Sequence, residues 1–122
     1  MSKISVSALA LANGSGKSLE YQSWFNLDIQ GIEFVPGKLL NSWPDVKEGE
    51  VSSFIESLEI NNWQVPAMQA FLFGKHNAQI FINPDNFCYE IEKIAELSKT
   101  IQCPYLIWGA PGSRDKGNLS DK

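Results

Sequence analysis

The chain has 122 residues, 43% of them apolar and 20% charged, with a formal net charge of −4. That length supports one domain with a real core, and the balance excludes a disordered chain; the absence of any basic run argues against nucleic acid or an anionic membrane as the main partner. Two cysteines, Cys88 and Cys103, stand apart with no CxxC pair, which reads as buried thiols of a reducing compartment, and so a cytoplasmic protein, rather than a disulfide framework or a metal knuckle. No apolar stretch reaches the ~20 residues that span a bilayer.

The run Ile4 to Leu11 alternates Ile4, Val6, Ala8 and reads as strand one. The same residues, with Ala8-Leu9-Ala10 as an A-x-A site, faintly resemble a signal peptide, but Ser5 and Ser7 interrupt the apolar stretch such a peptide needs. A polar loop, Ala12 to Ser18, leads to a helix capped by Ser18, in which Tyr21, Trp24 and Phe25 share one face. Gly31-Ile32-Glu33-Phe34-Val35 is strand two, stopped by Pro36-Gly37. An irregular passage from Lys38 to Gly49 carries Trp43-Pro44. Glu50 to Glu59 forms a helix with Val51, Phe54, Ile55 and Leu58 at helical spacing, ended by Asn61-Asn62.

Val65 to Phe73 reads as strand three, with Pro66 at its start, where a strand tolerates proline. Asn83-Pro84-Asp85 is a helix start, with Asn at the cap, Pro at the first helical position and an acid at the positive end of the dipole. Phe87, Ile91, Ile94, Ala95 and Ile101 then make one apolar stripe. Tyr105 to Gly109 is strand four. Strand starts near positions 4, 31, 65 and 105 have the spacing of βα units in a parallel sheet, and the near-continuous apolar runs of strands two to four predict a sheet covered on both faces.

Ligands of parallel α/β proteins bind outside the carboxyl ends of the strands, so polar residues there carry the functional reading. Glu33 interrupts an apolar strand, where a carboxylate is costly unless paired or facing a polar cavity. It is expected to contact a substrate hydroxyl or another site group, the structural alternative being an ion pair with a lysine or with Arg114. Gln69 is the polar member of strand three and can give and accept hydrogen bonds to a hydroxyl; the alternative is an amide that satisfies nearby backbone. Phe71 and Phe73 are expected on the same face. Arg114, the single arginine, follows strand four and has the fork geometry that grips carboxylate, phosphate or polyol; the alternative is a solvated loop residue pairing with Asp115. His76, the single histidine, lies just past strand three and could bind metal or shuttle a proton, though a lone loop histidine is usually only exposed. The four tryptophans read as core, with Trp43 placed to stack on a ring above a strand end.

Gly14-Ser15-Gly16-Lys17-Ser18 offers a different chemistry. It ends in Gly16-Lys17-Ser18 between a strand and a helix, the context of a phosphate-binding loop, but the pattern needs glycine where Leu11 stands. A P-loop nucleotide binder is therefore one alternative function. A small non-catalytic α/β ligand-binding module, flavodoxin-like in shape, is another.

Three segments together resemble a known family: Gly31-Ile32-Glu33-Phe34-Val35-Pro36, Met68-Gln69-Ala70-Phe71-Leu72-Phe73-Gly74, and Leu106-Ile107-Trp108-Gly109-Ala110-Pro111-Gly112-Ser113-Arg114. In this order on successive strand ends they resemble the N-terminal half of the sugar phosphate isomerase/epimerase family, the xylose isomerase-like TIM barrels. The resemblance covers nearly all of the chain, 1–122, as one unit. It implies a fold that is the first half, about (β/α)4, of a parallel (β/α)8 TIM barrel, an architecture of ~250 residues, with the C-terminal half absent; Asn118 to Lys122 reads as the start of a further helix capped by Ser120. It implies an isomerase or epimerase of carbohydrate metabolism that moves a proton next to a carbonyl. A divalent metal (Mn, Mg, Co or Zn) would serve the full-length parent, with no cofactor in this chain, which alone is expected to be inactive. Glu33, Gln69, Arg114 and His76 are the residues expected on the substrate side, the partner being a small sugar-like molecule. The open strand edges of a half-barrel are expected to allow self-association.

Overall fold

The computed structural model describes residues 3–11 and 20–119. Its centre is a short parallel ladder. Strand β1 (Ser5–Ser7) pairs with β2 (Gly31–Glu33), and β3 (Met68–Gln69) pairs with β4 (Leu106–Ile107), both in parallel. The two pairs are joined by parallel bridges from Gly31 to Gln64 and from Phe34 to Met68. The strands therefore lie in chain order, β1-β2-β3-β4. A flavodoxin-like sheet has a different order, with β1 between β2 and β3.

The elements include a single helical turn α1 (Pro36–Leu39) and the helix α2 (Glu48–Ile60) between β2 and β3, and the helix α3 (Pro84–Thr100) between β3 and β4. The 3-10 turns Ala8–Ala10, Tyr21–Asn26 and Pro111–Arg114 complete the described elements. The fold is of mixed α/β class.

Pleat alternation sorts the strand residues. Ile32, Phe34 and Met68 are fully buried and point to the helical side. There Phe34 meets Phe54 of α2 with ring centroids 5.1 Å apart, and a chain of edge-on rings runs on through Tyr21, Phe25 and Trp63. Such pairs add to the area that the rings bury. Glu33 and Gln69 fall on the opposite face and are half-buried. Gly31 is dictated by close approach, since a Cβ there would stand 2.8 Å from the Gln64 carbonyl oxygen.

Both long helices end by the same device. After α2, Asn62 takes a left-handed φ of 55°, its amide bonds Glu59 O and the Trp63 amide bonds Leu58 O. After α3, Gln102 takes a φ of 57°, its amide bonds Lys99 O and the Cys103 amide bonds Ser98 O. These are Schellman terminations. The second is reinforced by the Ser98 hydroxyl donating to Cys103 O at 2.7 Å. Asn tolerates the left-handed region; Gln is strained there.

Several expectations change. Strand three ends at Gln69, because Ala70 adopts a φ of 54° and residues 71–74 form a turn. Phe71 and Phe73 consequently do not share a face: Phe71 is buried, Phe73 85% exposed. Strand one stops at Ser7, where the Ser7 hydroxyl caps the turn Ala8–Ala10 by accepting from the Leu9 amide. The segment around Tyr21 is a 3-10 helix rather than an α-helix. Pro36, expected only to stop a strand, opens α1. Asn83 holds the cap position of α3 without a side-chain capping bond. Ala95 lies off the buried stripe, which is Phe87, Ile94, Leu97 and Ser98. β4 is not covered on both faces: Leu106 and Ile107 are 38% and 47% exposed. Cys88 is exposed rather than buried; Cys103 is buried, and burial pushes its thiol pKa up. No helix among the described residues is long and apolar enough to cross a membrane. The P-loop-like segment Gly14 to Ser18 and the expected caps Ser18 and Ser120 lie outside the described residues.

Relieving the left-handed strain at the end of α3 with Gln102→Gly is expected to raise the unfolding free energy by about 1 kcal/mol. Truncating the buried ring in Phe34→Ala is expected to lower it by about 3–5 kcal/mol. Urea midpoints at constant slope measure both.

Candidate functional site

The last residues of β1, β2 and β3 are Ser7, Glu33 and Gln69. Parallel register sets Ser7 directly beside Glu33, and the Gln69 amide bonds Phe34 O, which brings the third residue alongside. Their side chains join. The Gln69 Nε2 donates to Glu33 Oε2 at 2.6 Å and to Ser7 Oγ at 2.8 Å. Three polar side chains thus meet at the carboxyl ends of three neighbouring strands. Among the described residues, Glu33 Oε1 and Gln69 Oε1 carry no hydrogen bond within the chain. The cluster presents acceptors from a carboxylate and an amide, and the Ser7 hydroxyl as a donor.

One step beyond these residues a cleft of about 400 Å³ opens, lined by Leu9, Val35, Gly37, Lys38, Trp43, Ala70 and Phe73. Leu9, Val35 and Ala70 follow Ser7, Glu33 and Gln69 on the same segments, so the cleft sits just outside the strand ends. The Lys75 ammonium lies over the Trp43 ring, 5.2 Å from its centroid, and Lys75 is itself paired with Glu90 at 2.9 Å. A larger cleft of about 680 Å³ lies between α2, α3 and residues 43–46. It shares Trp43 with the smaller cleft, and no network of hydrogen-bonded side chains lines it among the described residues.

The loop that carries Trp43 is tied to α2 by Glu50. Its carboxylate accepts from the backbone amides of Asn41 and Ser42, the latter at 3.0 Å. Burial alone would raise the Glu50 pKa. The Ser42 hydroxyl, those two amides and the charge of Lys47 outweigh burial and hold it below the ordinary value.

Of the expected site residues, the structure brings Glu33 and Gln69 together and leaves the others apart. The partner of Glu33 is Gln69, not a lysine or Arg114. The exposed Arg114 guanidinium stacks 5.7 Å from the Trp108 centroid, and Trp108 is fixed by its Nε1 donating to Ser113 Oγ at 2.6 Å. Neither the Asp115 pairing nor a contact with the cluster is formed. His76 is exposed in a turn. The sequence reading missed Ser7 and Lys75. Ser7 was detectable, since a hydroxyl at the end of strand one shares register with an acid at the end of strand two. Lys75 was not, because its ring and carboxylate partners are remote in sequence.

A divalent cation needs several oxygen ligands. Among the described residues no three His, Cys, Asp or Glu side chains converge, and the one carboxylate at the strand ends is already engaged by an amide nitrogen. These residues do not by themselves fit such an ion.

Comparison of the chain with protein-family models, curated proteins and solved structures returns no match.

Because the Glu50 pKa is depressed, its stabilising contribution is present above the unfolded carboxyl pKa of about 4.3 and is lost as pH falls through the lower folded value. The Tm difference between the native chain and Glu50→Gln is expected to be constant near neutrality and to shrink below that point. A difference that persists unchanged into acid would contradict the assignment.

Proposed function

We propose that this chain is the first half, about (β/α)4, of a (β/α)8-type barrel and holds part of the substrate site of a sugar or sugar-phosphate isomerase/epimerase. The observation that carries this reading is the Ser7–Glu33–Gln69 network at the carboxyl ends of three adjacent parallel strands. The sequential strand order supports it, since a barrel is wound that way and a flavodoxin-like sheet is not. So does the resemblance of the three strand-end segments to sugar phosphate isomerases and epimerases.

A polyol matches the chemistry of the cluster. Its hydroxyls can donate to Glu33 Oε1 and Gln69 Oε1 and accept from Ser7, while the apolar face of the molecule lies toward Trp43 and Phe73. Glu33 serves here as a hydrogen-bond acceptor that fixes a substrate hydroxyl. Proton transfer next to a carbonyl, and the metal of the full-length parent, are assigned to groups outside this set. Arg114 and His76 stand outside the polar cluster and have no part in the proposed contacts.

The test is a titration of the chain with aldoses, ketoses and their phosphates, followed by amide chemical shifts. Binding is expected to move Ser7, Glu33 and Gln69 together with the Trp43 indole. A hydrogen bond to a charged group contributes about 1.5–3 kcal/mol, so Glu33→Gln is expected to weaken binding about tenfold or more. The reading fails if no sugar shifts these signals, or if Glu33→Gln binds as well as the native chain.

A further inference from the structure

The hydrogen bonds of the Ser7–Glu33–Gln69 cluster leave a defined set of open groups. A carboxylate only accepts, so the Gln69 amide turns its nitrogen to Glu33. Both Nε2 hydrogens are then committed, one to Glu33 Oε2 at 2.6 Å and one to Ser7 Oγ at 2.8 Å. Ser7 Oγ also accepts from the Leu9 amide at 3.2 Å. Its lone pairs are thereby occupied, and its hydroxyl proton is the one donor left open in the cluster. Against that donor stand two oxygens with no hydrogen bond to the described residues, Glu33 Oε1 and Gln69 Oε1. Neither is sealed off, since no side-chain nitrogen or oxygen among the described residues is both buried and without a partner. All three residues are half-buried, so part of their hydration is already lost.

Charge points the same way. No cation pairs with Glu33 among the described residues. Arg114 stacks on Trp108, Lys75 is paired with Glu90, and Lys38, which lines the cleft beyond the strand ends, donates to Leu11 O at 2.7 Å. A phosphate is recognised by N–H donors that carry positive charge. Here it would meet a carboxylate, an amide oxygen and a single hydroxyl. A neutral hydroxyl suits an acceptor but leaves the charge of Glu33 unanswered. A protonated amine brings several donors and the positive charge together. We infer, on the reading that this cluster is the ligand site proposed above, that its ligand is an amino sugar or amino polyol. The ammonium donates to Glu33 Oε1, and an adjacent hydroxyl donates to Gln69 Oε1 and accepts from Ser7. The same arrangement disfavours a phosphate at this place.

The test compares sugars that differ at one position: glucosamine with glucose, galactosamine with galactose, mannosamine with mannose. Each is titrated at slightly acid pH, where the amine is charged, and followed by the amide shifts of Ser7, Glu33 and Gln69. In at least one pair the amine is expected to bind about tenfold more tightly, the gain of a charge-assisted over a neutral hydrogen bond. Acetylating that amine is expected to remove the gain, and added salt to shrink it. In Glu33→Gln the ratio within the pair is expected to fall to about one, because the charge is gone. A ratio taken within one protein is unaffected by any loss of stability in the variant. Equal binding within every pair overturns the inference and leaves the polyol site standing. So does a preference that survives Glu33→Gln, or glucose 6-phosphate binding more tightly than every amine. Binding by none of the sugars overturns this inference and the polyol site together.

Discussion

The register between residues 30–34 and 64–69 governs the rest of the molecule. Four backbone bonds set it: Gln64 N to Gln30 O at 2.9 Å, Ile32 N to Gln64 O at 3.0 Å, Phe34 N to Ala67 O at 2.8 Å, and Gln69 N to Phe34 O at 2.9 Å. A slip by one residue would exchange the two faces, sending Glu33 into the aromatic core and Phe34 into the open. The burial of Ile32, Phe34 and Met68 opposes that slip, since each would lose its contacts with the helices. The polar cluster therefore exists because of the apolar residues that alternate with it.

Glu33 and Gln69 illustrate how a buried cost is distributed. A carboxylate in an apolar strand loses hydration, and one good amide hydrogen bond restores part of it. Glu33 Oε1 and Gln69 Oε1 keep acceptor capacity that no group among the described residues uses. Such partly satisfied polar groups suit a ligand with hydroxyls better than they suit a packed interior. Two interactions position the Trp43 wall of the cleft: Glu50 secures the loop before α2, and Lys75, paired with Glu90, lies over the Trp43 ring.

The two halves of the sheet differ in how well they are covered. At the β2–β3 seam the residues facing the helices are fully buried, whereas both residues of β4 remain exposed. Parallel sheets normally have both faces covered. The exposed β4 and the half-buried face that carries Glu33 and Gln69 are the less covered parts of the sheet.

The sequence by itself determined the presence of parallel strands and of the two long helices, the start of α3 at Asn83-Pro84, the buried face of α2 at Val51, Phe54 and Leu58, and the choice of Glu33 and Gln69 as strand-end polar residues. These follow from periodicity, from the fixed φ of proline and from the cost of charge in an apolar run, which are local quantities. Tertiary structure decided the rest. The early end of β3 depends on Ala70 entering a left-handed turn that only surrounding packing can impose, and so Phe73 leaves the core. Ser7 joins the site, and Arg114 goes to Trp108 instead, through register and stacking between residues far apart in the chain. The partner of a side chain is fixed by the packing of remote segments, and nothing in the spacing of residues along one strand contains that information.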